Sequence, residues 1–281
     1  MLKQRVITAL LLLAVLLPAM FYPNPVVFCV VSAVLVAAGV WEWVRLNQGK
    51  GRTAVLAALL MFGLCCALLW WPVPPTAQRA FWLGATAIWV SGASWLLAAG
   101  AAHWLGIPRA LRLIVGFVLI GVAWLAVAQA RVVGINFMVS MLALVWVADI
   151  GAYFSGRFLG GRCFKRKLAP TISPGKTWEG VVGGLLGVVV CATVWIQVEQ
   201  HMVLGAPSLY SVLLGHGWAF AGLALIFLTA WSVVGDLVES LIKRSAGVKD
   251  SSQLLPGHGG VLDRLDALLP VIPMALMMQS L

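Results

Sequence analysis

Residues 111–130 read LRLIVGFVLIGVAWLAVAQA, with Arg112 near the start, Gln129 near the end and no other side chain that needs water. A spanning helix needs about 20 mostly apolar residues, and this stretch supplies them. The apolar residues are continuous rather than alternating with period two, so the stretch is a helix and not a barrel strand. A bilayer requires every backbone N–H and C=O to be paired internally, which leaves helices as the spanning element.

The rest of the chain repeats that pattern. Nine segments read as spans: Val6–Tyr22, Pro25–Val44, Ala54–Trp71, Phe81–Leu105, Leu111–Ala130, Ile135–Ser155, Thr177–Val198, Trp218–Ser240 and Val261–Met278. Breakers fall between them, at Pro23-Asn24-Pro25, at Pro72 to Pro75 and at Gly106-Ile107-Pro108. Met1 to Arg5 followed by an apolar run resembles a secretion signal. The run is too long for one and no small-residue cleavage site follows, so it is read as the first span. The expectation is an all-α polytopic membrane protein of about nine helices. Residues 1–281 form a single membrane domain, with spans one to five over 1–134 and spans six to nine with their polar loops over 135–281.

Composition agrees. The chain is 62% hydrophobic and 10% charged, whereas a soluble domain carries about 25% charged residues. Mean hydropathy is +1.00. The net charge of +10 would suggest nucleic acid for a soluble protein. Here it reflects basic loops and anionic ligands, and no nucleic acid is expected. The five cysteines form no CxxC pair and imply neither a disulfide framework nor a zinc site.

Lysine and arginine set the orientation. With the N-terminus in the cytosol, all but Arg79 and Arg131 of the 19 basic residues fall on the cytosolic side. That predicts an N-in, C-out chain whose two basic, polar loops (about 160–176 and 241–260) carry the chemistry. Of the acids, only Glu199 falls outside.

Asp149 and Asp236 sit within apolar runs, where an ionisable group is costly and normally pairs or lines a wet cavity. Asp236, Glu239, Ser240 and Lys243 are spaced i, i+3, i+4 and i+7, one stripe on a helix. Asp263 and Asp266 are one turn apart. Converging carboxylates beside Lys243, Arg244, Lys249 and Arg264 suit a hard cation holding a polyphosphate. Between them, Pro256-Gly257-His258-Gly259-Gly260 allows backbone N–H groups to approach an anion at the start of the last helix. Ser173-Pro174-Gly175-Lys176-Thr177 opens another helix with hydroxyls and a lysine, but lacks P-loop spacing. Gly180, Gly183, Gly184 and Gly187 are read as helix-packing residues.

The pattern Ser240-x-x-Lys243-Arg244-x4-Lys249-Asp250-x5-Pro256-Gly257-His258-Gly259-Gly260-x-x-Asp263-Arg264-x-Asp266 resembles the signature of phosphatidate cytidylyltransferases of the bacterial type. Asp149-x-Gly151-Ala152-Tyr153 and Ser173-Pro174-x-Lys176-Thr177-x-Glu179-Gly180 are also similar to that family, although Gly175 stands where some members carry Lys. The resemblance implies transfer of CMP from CTP to phosphatidate at the inner membrane, with the site facing the cytosol, and a homodimer. It implies Mg²⁺ on Asp236, Asp263 and Asp266, with K⁺ conceivable as a second cation. Lys243 joins these acids as a catalytic residue. Ser173, Lys176, Thr177, Ser240, Arg244, Lys249, Asp250, His258, Gly259, Gly260 and Arg264 are the expected substrate contacts. A transporter would also place acids in a membrane cavity, but no inverted repeat is visible. The DGxxAR pattern of CDP-alcohol phosphotransferases is absent. A purely structural membrane subunit would leave the Asp pairs unexplained.

Overall fold

A computed structural model describes residues 2–70, 74–202 and 205–281. Twelve helices follow in order: α1 Leu2–Phe21, α2 Pro25–Leu46, α3 Gly51–Leu68, α4 Pro75–Ala99, α5 Ala101–Gly106, α6 Arg109–Val133, α7 Ile135–Leu159, α8 Trp178–His201, α9 Leu209–Gly215, α10 Trp218–Ser245, α11 Leu262–Leu265 and α12 Leu268–Gln279. Eight of these are long and apolar enough to cross a bilayer among the described residues. The expected end of the third span at Trp71, the breaker Pro72 and the initial Met1 lie outside the described residues.

Two expected spans are corrected. The fourth, Phe81–Leu105, ends instead at Ala99, because Gly100 takes φ +83° and redirects the chain into the short α5. The ninth, Val261–Met278, is broken at Asp266 and Ala267 into α11 and α12. The cause is Pro270. It lies four residues after Asp266 and has no N–H to return to that carbonyl, and its ring crowds the preceding turn. A seven-residue helix, α9, lies between α8 and α10, capped by the Ser208 hydroxyl accepting from the Ser211 N–H.

The broken segment forms the core. α12 packs against α4, α6, α7, α9 and α10. Val271, Met274, Ala275 and Leu276 are fully buried, as expected of a helix apolar on every side. α7 and α8 form the tightest pair, and small residues make it possible. A Cβ on Gly184 would stand 2.7 Å from the Ala148 carbonyl oxygen, and one on Gly180 would stand 2.9 Å from that of Ala152. Gly184→Ala is therefore expected to push the helices apart and cost about 1–3 kcal/mol, read as a lower melting temperature in detergent. An unchanged melting temperature would show that the pair has slack.

The helix ends sort into two groups. At one end, Thr8 donates to the Pro256 carbonyl at 2.9 Å, Glu42 meets Ser251 and Arg244 reaches the Ile172 carbonyl. At the other, Arg131 donates to the Met20 and Tyr22 carbonyls at 3.0 and 2.6 Å. A buried guanidinium thus satisfies carbonyls that α1 leaves open at its C-terminus. Glu199 lies at this end too, accepting from Asn136, Ser208 and Ser211. The basic loops therefore gather at one end of the bundle.

Candidate functional site

The stripe on α10 forms as its spacing demands. Ser240 donates to Asp236 Oδ1 at 3.1 Å, and Lys176 pairs with Asp236 Oδ2 at 2.6 Å. Lys176 comes from the turn before α8, where the Thr177 hydroxyl accepts from the Gly180 N–H. Asp149, Lys176, Thr177 and Asp236 line one cavity of about 270 Å³ between α7, α8 and α10. Tyr153, on its α7 wall, is exposed on the apolar flank of the bundle.

One turn further along α10, Lys243 is buried between two carboxylates. It donates to Glu239 Oε2 and to Asp263 Oδ1, each at 2.6 Å. Asp263 also organises the loop before it. Its Oδ2 accepts from the Ser251 N–H at 2.9 Å, the Ser251 hydroxyl at 3.0 Å and the Gly260 N–H at 2.7 Å. Asp266 lies within electrostatic reach of both Asp236 and Glu239. Glu239 Oε1 is buried without a hydrogen-bond partner. Acidic oxygens in this region thus exceed what Lys176 and Lys243 neutralise, and such an excess is relieved by a retained proton or by added positive charge.

Among the described residues no three His, Cys, Asp or Glu side chains converge on one metal position. Each of the three expected ligands already has protein partners: Asp263 has Lys243, Ser251 and Gly260, Asp236 has Lys176 and Ser240, and Asp266 accepts from the Ala267 N–H. The donor chemistry still fits Mg²⁺, which takes one or two carboxylates and fills its remaining positions with water and substrate phosphates. Glu239 and Asp236 each lie within electrostatic reach of Asp266.

The other expected contacts divide. Lys249 and Asp250 line a separate cleft of about 830 Å³. Arg244 donates to the Ile172 and Val248 carbonyls, tying the two basic loops together. Arg264 donates to the His258 carbonyl at 2.7 Å and so closes its own loop. His258 Nδ1 is buried without a partner. Ser173 sits in a tight turn in which its N–H donates to Ala169. It is absent from the cavity lining. Gly259 takes φ +83°, and Asp263 Oδ2 would stand 2.6 Å from a Cβ there.

The residue not singled out from the sequence is Glu42. It lies on α2, fully buried. Its carboxylate accepts the N–H groups of Val261 at 2.9 Å and Leu262 at 2.8 Å, and the hydroxyls of Ser251 and Ser252. The helix-start donors expected to meet a substrate anion are thus taken by Glu42, with the neighbouring Gly260 N–H taken by Asp263. A protein carboxylate occupies the anion site. Glu179 does similar work for the other loop, accepting from the N–H groups of Gly161, Cys163 and Phe164.

Comparison with known proteins identifies the family. The family model described as "Cytidylyltransferase family" matches residues 3–281. A protein of Pseudomonas aeruginosa named phosphatidate cytidylyltransferase is 40% identical over 283 residues, covering 97% of this chain and 95% of the relative. One of the same name from Haemophilus influenzae is 36% identical, covering 97% and 96%. Another from Brucella melitensis is 35% identical, covering 80% and 83%. The match spans nearly every described helix and takes in Glu42, the two basic loops and the α10 stripe together, and the chain belongs to the cytidylyltransferase family.

Proposed function

We propose that this protein transfers CMP from CTP to phosphatidate. A phosphate oxygen of phosphatidate bonds to the α-phosphorus of CTP, the bond between that phosphorus and the β-phosphate bridge breaks, and pyrophosphate leaves. CDP-diacylglycerol remains in the membrane. The observation that carries this reading is the placement of the Lys176–Asp236 pair beside the Lys243–Glu239–Asp263 centre, at the end of the bundle where the basic loops meet. Two anionic substrates must approach each other there, and the lysines and arginines of the basic loops, together with a bound cation, would offset their repulsion. The nucleophile is already an anion, so positioning and charge stabilisation suffice without a strong base.

Lys176, with Thr177 at the head of α8, would bind a phosphate in the cavity. The flank bearing Tyr153 suits entry of the lipid from the bilayer. Asp236 and Asp266 would hold Mg²⁺, which when bound neutralises phosphate charge, and a second cation such as K⁺ would find acceptors in Glu239. Asp263, held by Lys243 and the loop, would position both. Asp149 would keep the cavity wet and polar. The site would face the cytosol at the bacterial inner membrane, and the protein would work as a homodimer.

The test uses purified protein in mixed micelles with phosphatidate and cytosine-labelled CTP. Label is expected in the organic phase, with matching pyrophosphate, only when phosphatidate and Mg²⁺ are both present. Chelation is expected to lower the rate by at least about a hundredfold. Folded protein that yields no labelled lipid would overturn the reading, and an undiminished rate under chelation would overturn the metal.

A further inference from the structure

The turn between α2 and α3 contains an outlier. Gln48 has φ +63°, alone among the described non-glycine residues. Its N–H donates to the Arg45 carbonyl at 3.0 Å, and the Gly49 N–H donates to that of Val44 at 2.7 Å. This is the helix-ending motif in which glycine normally fills the left-handed position. A glutamine there is strained, and a strained side chain points to a use for it.

The turn is rigidly held. Asn47, fully buried beneath it, donates to the Trp43 carbonyl at 3.0 Å and accepts from Trp104 Nε1 at 3.1 Å and Arg112 at 3.4 Å. Gln48 is presented, exposed, on the wall of the 830 Å³ cleft. On the same wall the Arg45 guanidinium lies 4.6 Å from the Trp41 ring centroid. Lys249 and Gln253 face them from the loop after α10. The inner wall is Ser251, whose N–H and hydroxyl meet Asp263. The cleft therefore abuts the Lys243–Asp263 centre.

We propose that this cleft takes the cytidine end of the nucleotide, with Gln48 hydrogen-bonding the base edge and Arg45 on Trp41 as its stacking platform. The inference rests on the cytidylyl-transfer reading above. A side-chain amide both donates and accepts, which matches the ring nitrogen and exocyclic amine of cytosine. A guanidinium plane backed by an aromatic ring stacks on bases. Lys249 supplies positive charge beside the ribose and first phosphate, and the phosphates extend past Ser251 toward Lys243.

Gln48→Gly is the informative variant, because it removes the side chain while relieving the strain. Its melting temperature is expected to equal or exceed that of the parent. KM for CTP is expected to rise about tenfold, with kcat and KM for phosphatidate unchanged. An unchanged KM for CTP overturns the proposal. Should the parent protein make no labelled lipid, equilibrium dialysis with labelled CTP separates the two readings. CTP retained by the parent and released by Gln48→Gly upholds the cleft although the reaction fails, and equal retention, or none by either, overturns the cleft.

Discussion

Asp263→Asn is expected to lower cytidylyl transfer by roughly a thousandfold or more, while the protein still inserts and folds. The substitution is nearly isosteric, so packing is retained. Electrostatics are not. Lys243 stands between Glu239 and Asp263 at 2.6 Å from each, and Asn leaves it with one counter-charge. The amide also replaces one carboxylate oxygen with a donor. Asp263 Oδ2 now accepts from Ser251 and Gly260, and at least one of those donors would face another donor or go unpaired. The loop over residues 251–260 would then shift relative to α10, and a shift of about 1 Å in reacting groups costs about a hundredfold by itself. The readout is the rate of label entering lipid, beside a detergent melting curve. Transfer at the parent rate would remove Asp263 from the site.

Glu42→Ala is expected to be the most damaging change outside the polar loops. It deletes a fully buried carboxylate and leaves the Val261 and Leu262 N–H groups and the Ser251 and Ser252 hydroxyls without their acceptor. Hydrogen bonds to a buried charge contribute about 1.5–3 kcal/mol each and are not additive, so a loss of about 3–5 kcal/mol is expected. Because Glu42 anchors the head of α11, activity should fall even at temperatures where the variant remains folded. Glu42→Gln separates the two effects. It keeps the volume but restores only one acceptor oxygen, and its melting temperature should lie between those of parent and Ala variant. A Gln variant with full activity would show that the charge is unnecessary.

Much of the architecture is legible from local pattern. Run length predicts nine long apolar helices, eight of which are long and apolar enough to cross a bilayer among the described residues, and the α10 stripe follows from its spacing. The glycines of α8 were readable as packing residues because only small side chains admit a neighbouring backbone. The site was less legible. Lys176 and Asp236 were both visible as candidates, but nothing in their 60-residue separation announces an ion pair. Glu42 carried no signal, since a lone acid near the end of an apolar run looks like an ordinary interfacial charge.

The sequence by itself determined the solvent, the helical class and the chemistry of the polar loops, because hydropathy and helical periodicity act over a few turns and need no partner. Only the tertiary structure decided which charges distant in the chain meet. Glu42 and Leu262 are 220 positions apart, brought together where Leu262 packs against Gly39 of α2. Gly235 likewise gives the Asp266 carbonyl room to approach α10, since a Cβ there would stand 2.4 Å from that oxygen. Such pairings arise from packing between helices distant in the chain, and buried charge then selects its partner by distance.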